Sequence, residues 1–165
     1  MTVRGLRLLL IGVFSAVLLL MVSAPLVMPY GSVNGLEGGH PVEPDFFDTW
    51  DTLEPIPAMV YAVGDILCHQ DASRSFELNG SQLPICVRDL SALMGMIAGL
   101  ALCIFCGDRL RRYAYPMLLV SFVLMIADVI IQNSLDLNVF ATRILTGAFC
   151  GIAVSAAVDR WLTGI

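Results

Sequence analysis

From Leu8 to Met28 the sequence carries no charged side chain. A helix needs about 20 mostly apolar residues to cross the ~30 Å hydrocarbon core of a bilayer, so this run predicts a membrane-spanning helix over about 6–28. Arg4 and Arg7 ahead of it could also form the basic start of a signal peptide. The run is long for that, and a cut after Ala24 would leave Pro25 next to the cleaved bond. A retained helix is expected.

Three further apolar runs predict helices over 90–105, 115–131 and 139–158. The third of the four helices is interrupted by Asp128 and the fourth by Arg143. The fold class expected is an all-α membrane protein, a four-helix transmembrane bundle in a single domain. One long outer loop separates helices one and two. Composition agrees. Hydrophobic residues make up 58% and charged residues 14%, with a mean hydropathy of +0.82, whereas soluble domains average roughly half apolar and a quarter charged. The net charge of −5 leaves no basic patch for phosphates. The partner expected is the lipid bilayer, with no nucleic acid.

Orientation follows from arginine, since all nine basic residues are Arg. Arg4 and Arg7 precede helix one, Arg109, Arg111 and Arg112 lie between helices two and three, and Arg160 follows helix four. With four crossings all of these share one side, which the positive-inside rule makes the cytoplasm. The expectation is a multi-pass cell-membrane protein with both termini cytoplasmic.

The stretch between helices one and two divides in composition. Residues 29–58 are rich in Gly and Pro and carry Glu37, Glu43, Asp45, Asp48, Asp51 and Glu54 with no basic residue, the pattern of a solvated acidic loop. Residues 59–89 bear the motifs. Met59 to Cys68 is apolar enough for a short helix lying on the membrane. Asn79-Gly80 is a strong turn signal that would bring Cys86 back towards Cys68.

Thiolate, imidazole and carboxylate are ligands for zinc and similar ions. Cys68, His69, Cys86 and Asp89 could supply four, making zinc or another transition metal the cofactor considered. Adjacent Cys and His both bind an ion only where the backbone turns sharply. A Cys68–Cys86 disulfide is equally natural in an oxidising compartment. Inside the helices, a charge at the bilayer centre costs ~2.5–3.5 kcal/mol or more. Asp128, with Gln132 one turn on, and Arg143 fall at similar depth and are expected within pairing reach. A structural ion pair and a catalytic role are both open for them. Cys103-x-x-Cys106 and Cys150 read as packing residues, and Gly95-x-x-x-Gly99 and Gly147-x-x-x-Gly151 as close-approach sites between helices.

The series Cys68-His69-Gln70, Arg74-Ser75-Phe76 and Pro84-x-Cys86-x-Arg88, continued by Asp128…Gln132 and Arg143-x-x-Thr146-Gly147-x-x-x-Gly151, resembles a family of small membrane proteins, domain of unknown function 2085. The resemblance covers roughly 61–151. It implies a second Cys at the position that Asp89 occupies here, so an all-thiol scheme is weakened while Asp remains a possible ligand. It implies no activity.

Three functional classes follow. In the first, a metal-assisted membrane enzyme holds its ion on Cys68, His69, Cys86 and Asp89. Arg74, Arg88, Arg143 and Gln132 then bind an anionic or lipid substrate, and Asp89, Asp128 and Arg143 are the catalytic candidates. In the second, a non-catalytic subunit, assembly factor or carrier is locked by a Cys68–Cys86 disulfide. The third is a membrane thiol oxidoreductase, against which the lack of an outward Cys-x-x-Cys counts.

Overall fold

The computed structural model describes residues 2–36, 46–68 and 70–164. His69 lies outside the described residues, as do Glu37, Glu43 and Asp45 of the acidic stretch. The elements in chain order are α1 (Val3–Val27), α2 (Phe47–Trp50), α3 (Pro55–Leu67), a 3-10 turn (Ala72–Arg74), β1 (Glu77–Leu78), β2 (Ser81–Gln82), α4 (Val87–Ser134) and α5 (Phe140–Thr163). Among the described residues, α1, α4 and α5 are long and apolar enough to cross a membrane. Helices suit that role because lipid offers no water to backbone N–H and C=O groups, which must then pair within the segment. The chain divides into two compact units, one of residues 1–16 and 90–165 and the other of residues 17–89.

In the first unit, the second and third helices expected from the sequence both lie within α4, a 48-residue stretch made of two helices joined across a kink at Cys106. The basic stretch Gly107 to Arg112, expected as a loop, is helical. Arg and Leu there are good helix formers, and no proline interrupts before Pro116. Only Cys106 departs from helical geometry, at φ −127° and ψ 27°.

Contacts with α5 give the direction of each half of α4. Ser91 Oγ donates to the carbonyl of Arg143 at 3.4 Å, and Ser155 Oγ to that of Met96 at 2.8 Å. The first half of α4 therefore runs parallel to α5. Arg160 Nη1 donates to the carbonyl of Arg111 at 2.9 Å, and Arg143 Nε to Gln132 Oε1 at 2.7 Å. The second half runs antiparallel to α5. Both can hold only if the chain reverses between them, and Cys106 is where it does. α5 is the most enclosed of the three apolar helices.

Small residues allow the parallel pair to approach closely. A Cβ on Gly95 would stand 2.2 Å from the carbonyl oxygen of Ala148, and one on Gly151 2.1 Å from that of Ala92. One on Gly99 would meet Ser155 Cβ at 2.8 Å. The end of this unit where α4 turns is tied by ion pairs. Asp159, fully buried, accepts from Arg7 Nε of α1 and from Arg111 Nη1 at 3.2 Å. Asp108 also pairs with Arg111.

The second unit is built around a hairpin. β1 and β2 pair antiparallel with Leu78 opposite Ser81. Asn79 and Gly80 both lie at positive φ, 52° and 65°. That is the Asn-Gly type I′ geometry which matches strand twist, so the turn expected from the sequence is present. Gly80 is also required by space, because a Cβ there would be 2.6 Å from the Tyr30 ring. The Asn79 side chain donates to the carbonyls of Pro25 and Met28 at 3.1 and 2.9 Å, satisfying carbonyls that the end of α1 leaves without intrahelical donors.

α2 and the start of α3 fall inside 29–58, the stretch expected to be loop. Their anchor is aromatic. Trp50 stacks on Tyr61 with ring centroids 5.2 Å apart, and its indole N–H donates to Asp65 at 3.1 Å. A buried indole needs such an acceptor.

Gly151→Ala forces a methyl against backbone that cannot rotate away. We expect a loss of about 1–3 kcal/mol, read as a lower thermal midpoint in detergent. Gly12→Ala is the control. Nothing lies within 4 Å of its Cβ position, so helix propensity alone should leave stability unchanged or raise it by up to about 1 kcal/mol.

Candidate functional site

The two thiols predicted to meet do so. Cys68 ends α3, its N–H still donating to the Gly64 carbonyl at 2.8 Å. The chain then turns inward through Gln70, which holds a left-handed φ of 44°. Such a conformation costs a non-glycine residue about 1 kcal/mol or more. It is held because the Gln70 amide, fully buried, donates to the carbonyls of Tyr61 and Pro84 at 2.9 and 3.0 Å. Gln82 Nε2 donates in turn to the Gln70 carbonyl, and Tyr61 Oη to that of Gln82. This polar lattice under the hairpin sets the path from Cys68 out to the turn and back to Cys86.

Cys86 directly precedes α4, and its N–H donates to Cys68 Sγ at 3.3 Å. Cys86 Sγ donates to Asp89 Oδ2 at 3.2 Å, three residues along the first turn of the helix. The two sulfurs and a carboxylate oxygen of Asp89 all lie within 4.8 Å of one another. Cys68 is buried, Cys86 half-buried and Asp89 exposed, so the group opens on its carboxylate side. Both thiols are unbridged.

The thiols differ in character. A side-chain hydrogen bond between the two thiols, in which Cys68 keeps its proton, then burial, pushes Cys68 well above the ordinary thiol range. The same bond draws Cys86 below it, against the opposing effect of burial. The N-terminus of α4, which carries partial positive charge, also favours a thiolate there.

His69, expected with them from the sequence, falls outside the described residues. Arg74 pairs with Asp71 at 3.2 Å and is half-exposed. Arg88 lies between Val87 and Asp89 in the first turn of α4.

A second polar cluster belongs to the other unit. Asp128 and Arg143 are joined through Gln132. The Gln132 side-chain nitrogen donates to Asp128 Oδ1 at 2.7 Å and to Thr142 Oγ1 at 2.9 Å. Its oxygen accepts from Arg143 Nε at 2.7 Å and from the Val139 N–H at 3.3 Å. All four hydrogen-bonding positions of the amide are used. Gln132 and Arg143 are both buried, at 4% and 3% exposure. The amide thus ties the end of α4 to the start of α5 across the short connection Leu135 to Val139. Thr142 was not singled out from the sequence. A hydroxyl one residue before a helix arginine gives no distinguishing signal.

The sequence reading also passed over Asp159. An acid in the last turn of an apolar helix opposes the helix dipole and calls for cationic partners, a signal that could have found Arg7 and Arg111.

Residues 68–157 match the family model described as "Predicted membrane protein (DUF2085)". No curated protein matches the chain, and no solved structure does.

Two measurements follow. Alkylation with peptide mapping should modify Cys86 about tenfold or more faster than Cys68 at neutral pH, and the preference should persist below the usual thiol range. Equal rates would contradict the asymmetry. Gln132→Leu removes the amide between Asp128 and Arg143 and should cost about 2–4 kcal/mol, measured as loss of thermal stability in detergent.

Proposed function

The chain belongs to the DUF2085 family of predicted membrane proteins, and on that premise we propose that it crosses the cell membrane four times and binds a transition metal at its outer face. A straight helix of 48 residues would measure about 70 Å, over twice the ~30 Å hydrocarbon thickness. The reversal at Cys106 supports two crossings by α4, flanked by one each from α1 and α5. Arg7, Arg111, Arg112 and Arg160 share the end where α4 turns. Their charge supports placing that end, and both termini, in the cytoplasm.

The observation that carries the metal reading is the meeting of Cys68, Cys86 and Asp89 within 4.8 Å. Tetrahedral zinc separates its ligand atoms by roughly 3–4 Å, so small side-chain rotations would suffice. Two thiolates and one carboxylate suit zinc-class ions. His69 is the natural fourth ligand. Without it, the exposed side at Asp89 leaves a position for water or substrate. A metal in such an open site supplies Lewis acidity and lowers the pKa of a bound water. In an enzyme of this kind, Arg88 beside the site and Arg74 nearby in sequence are the candidates to hold an anionic or lipid substrate. Gln132, with its amide filled by protein groups, takes a structural part.

A second reading, a structural Cys68–Cys86 disulfide in a non-catalytic membrane subunit, is favoured by the adjacency of the two thiols.

Elemental analysis and thiol counting on protein purified without chelator or reductant test the two readings together. We expect about one zinc-class ion per chain with Cys68 and Cys86 both reduced, and loss of the ion in Cys86→Ser. Absence of metal with both thiols consumed in a bridge would establish the second reading instead. Absence of metal with both thiols free and alkylatable would refute both.

A further inference from the structure

At the end of the first unit where α4 turns, a cavity of about 340 Å³ is lined by Asp108, Arg111, Arg112 and Arg160. It is remote in sequence from the thiol group and plays no part in the metal reading. We propose that this cavity binds the phosphate group of an anionic lipid.

Charge is the first argument. Arg111 is neutralised by Asp108 and the buried Asp159, and Asp159 is shared with Arg7. No acidic side chain among the described residues pairs with Arg112 or Arg160. Two guanidinium charges therefore line the cavity without a counter-ion, from two different helices.

Preorganisation is the second. Arg160 is fixed by its Nη1 bond to the Arg111 carbonyl at 2.9 Å and by the Tyr115 ring, whose centroid is 4.7 Å from its guanidinium carbon. Those contacts leave Nε and Nη2 of the fork, the pair of donors that binds phosphate oxygens bidentately. Arg112 rests against Tyr113 at 5.8 Å and supplies a second cation. Because less side-chain entropy is lost on binding, held guanidiniums bind an anion more tightly than free ones.

Position is the third argument, and it selects a lipid. Tyr113 and Tyr115 are both half-exposed, as interfacial aromatics are. Beyond them the second half of α4 presents Leu119, Val120 and Val123 outward, an apolar surface along which acyl chains would lie. A headgroup in the cavity would thus have its tails in register with the hydrocarbon. The cytoplasmic leaflet, where the orientation proposed above puts this end, carries the anionic lipids.

The test uses the full chain in neutral detergent, with bound lipid counted by native mass spectrometry during titration with phosphatidylglycerol, phosphatidylcholine or inorganic phosphate. Phosphatidylglycerol should bind saturably at one site, more weakly as salt rises, and phosphatidylcholine should not. Arg112→Gln is the main variant, because among the described residues that side chain makes no hydrogen bond or ion pair and lies only against the neighbouring Tyr113 ring. It should weaken phosphatidylglycerol about tenfold. Arg160→Gln should do at least as much in protein that remains folded, and Arg74→Gln, in the other unit, should do nothing. Binding of inorganic phosphate with the same sensitivity to Arg112, and no binding of phosphatidylglycerol, would make the site one for a soluble phosphate ester and overturn the lipid assignment. Phosphatidylglycerol binding that is unchanged in Arg112→Gln would overturn the site itself.

Discussion

The close approach of α4 and α5 at Gly95, Gly99 and Gly151 is the contact on which the membrane unit depends. Between apolar helices in lipid there is no hydrophobic gain from association, so packing and hydrogen bonds must supply it. At these glycines the helices come near enough for backbone to touch backbone. The same proximity lets Ser91 and Ser155 reach carbonyls across the pair. With α5 held parallel to the first half of α4, the second half can pack only by reversing, and its polar ends then fall beside those of α5.

Polar groups are accordingly concentrated at the two ends of that unit. At one end a single amide, Gln132, mediates between a carboxylate and a guanidinium. At the other a buried carboxylate, Asp159, is shared by two arginines. Breaking either arrangement withdraws hydrogen bonds from a charged group held largely away from water, which costs more than forming them gains. These arrangements therefore select one packing over its alternatives as much as they stabilise it.

Much of this was legible in the sequence, for reasons that differ by residue. The apolar runs are long and their signal is additive, so helices over the runs of α1, α4 and α5 were readable. Asn79-Gly80 specifies its turn through local backbone preference alone, and the meeting of Cys68 with Cys86 follows from that turn. The helical state of Arg109, Arg111 and Arg112, just past the kink, was not legible. Charged residues in a short connection read as loop, yet they are good helix formers, and only Cys106 leaves the helix. Gln70 and Gln82 read as surface residues by type. Their burial depends on carbonyls of Tyr61, Pro84 and Gln70 itself, which come together only once the hairpin has folded. The role of Gln132 was missed for a similar reason. Its four partners include a backbone N–H and a threonine hydroxyl, neither of which has a sequence signature.

The cap on α1 has a consequence in time. The carbonyls of Pro25 and Met28 are closed by the side chain of Asn79, 54 and 51 residues later in the chain. During synthesis α1 is complete long before the residue that finishes its end exists. Until then those carbonyls need another donor, such as water. The arrival of Asn79 replaces solvent with protein at that point. The end of the first helix is thus settled only when the last part of the second unit is made, and only then is the path from α1 to the thiols fixed.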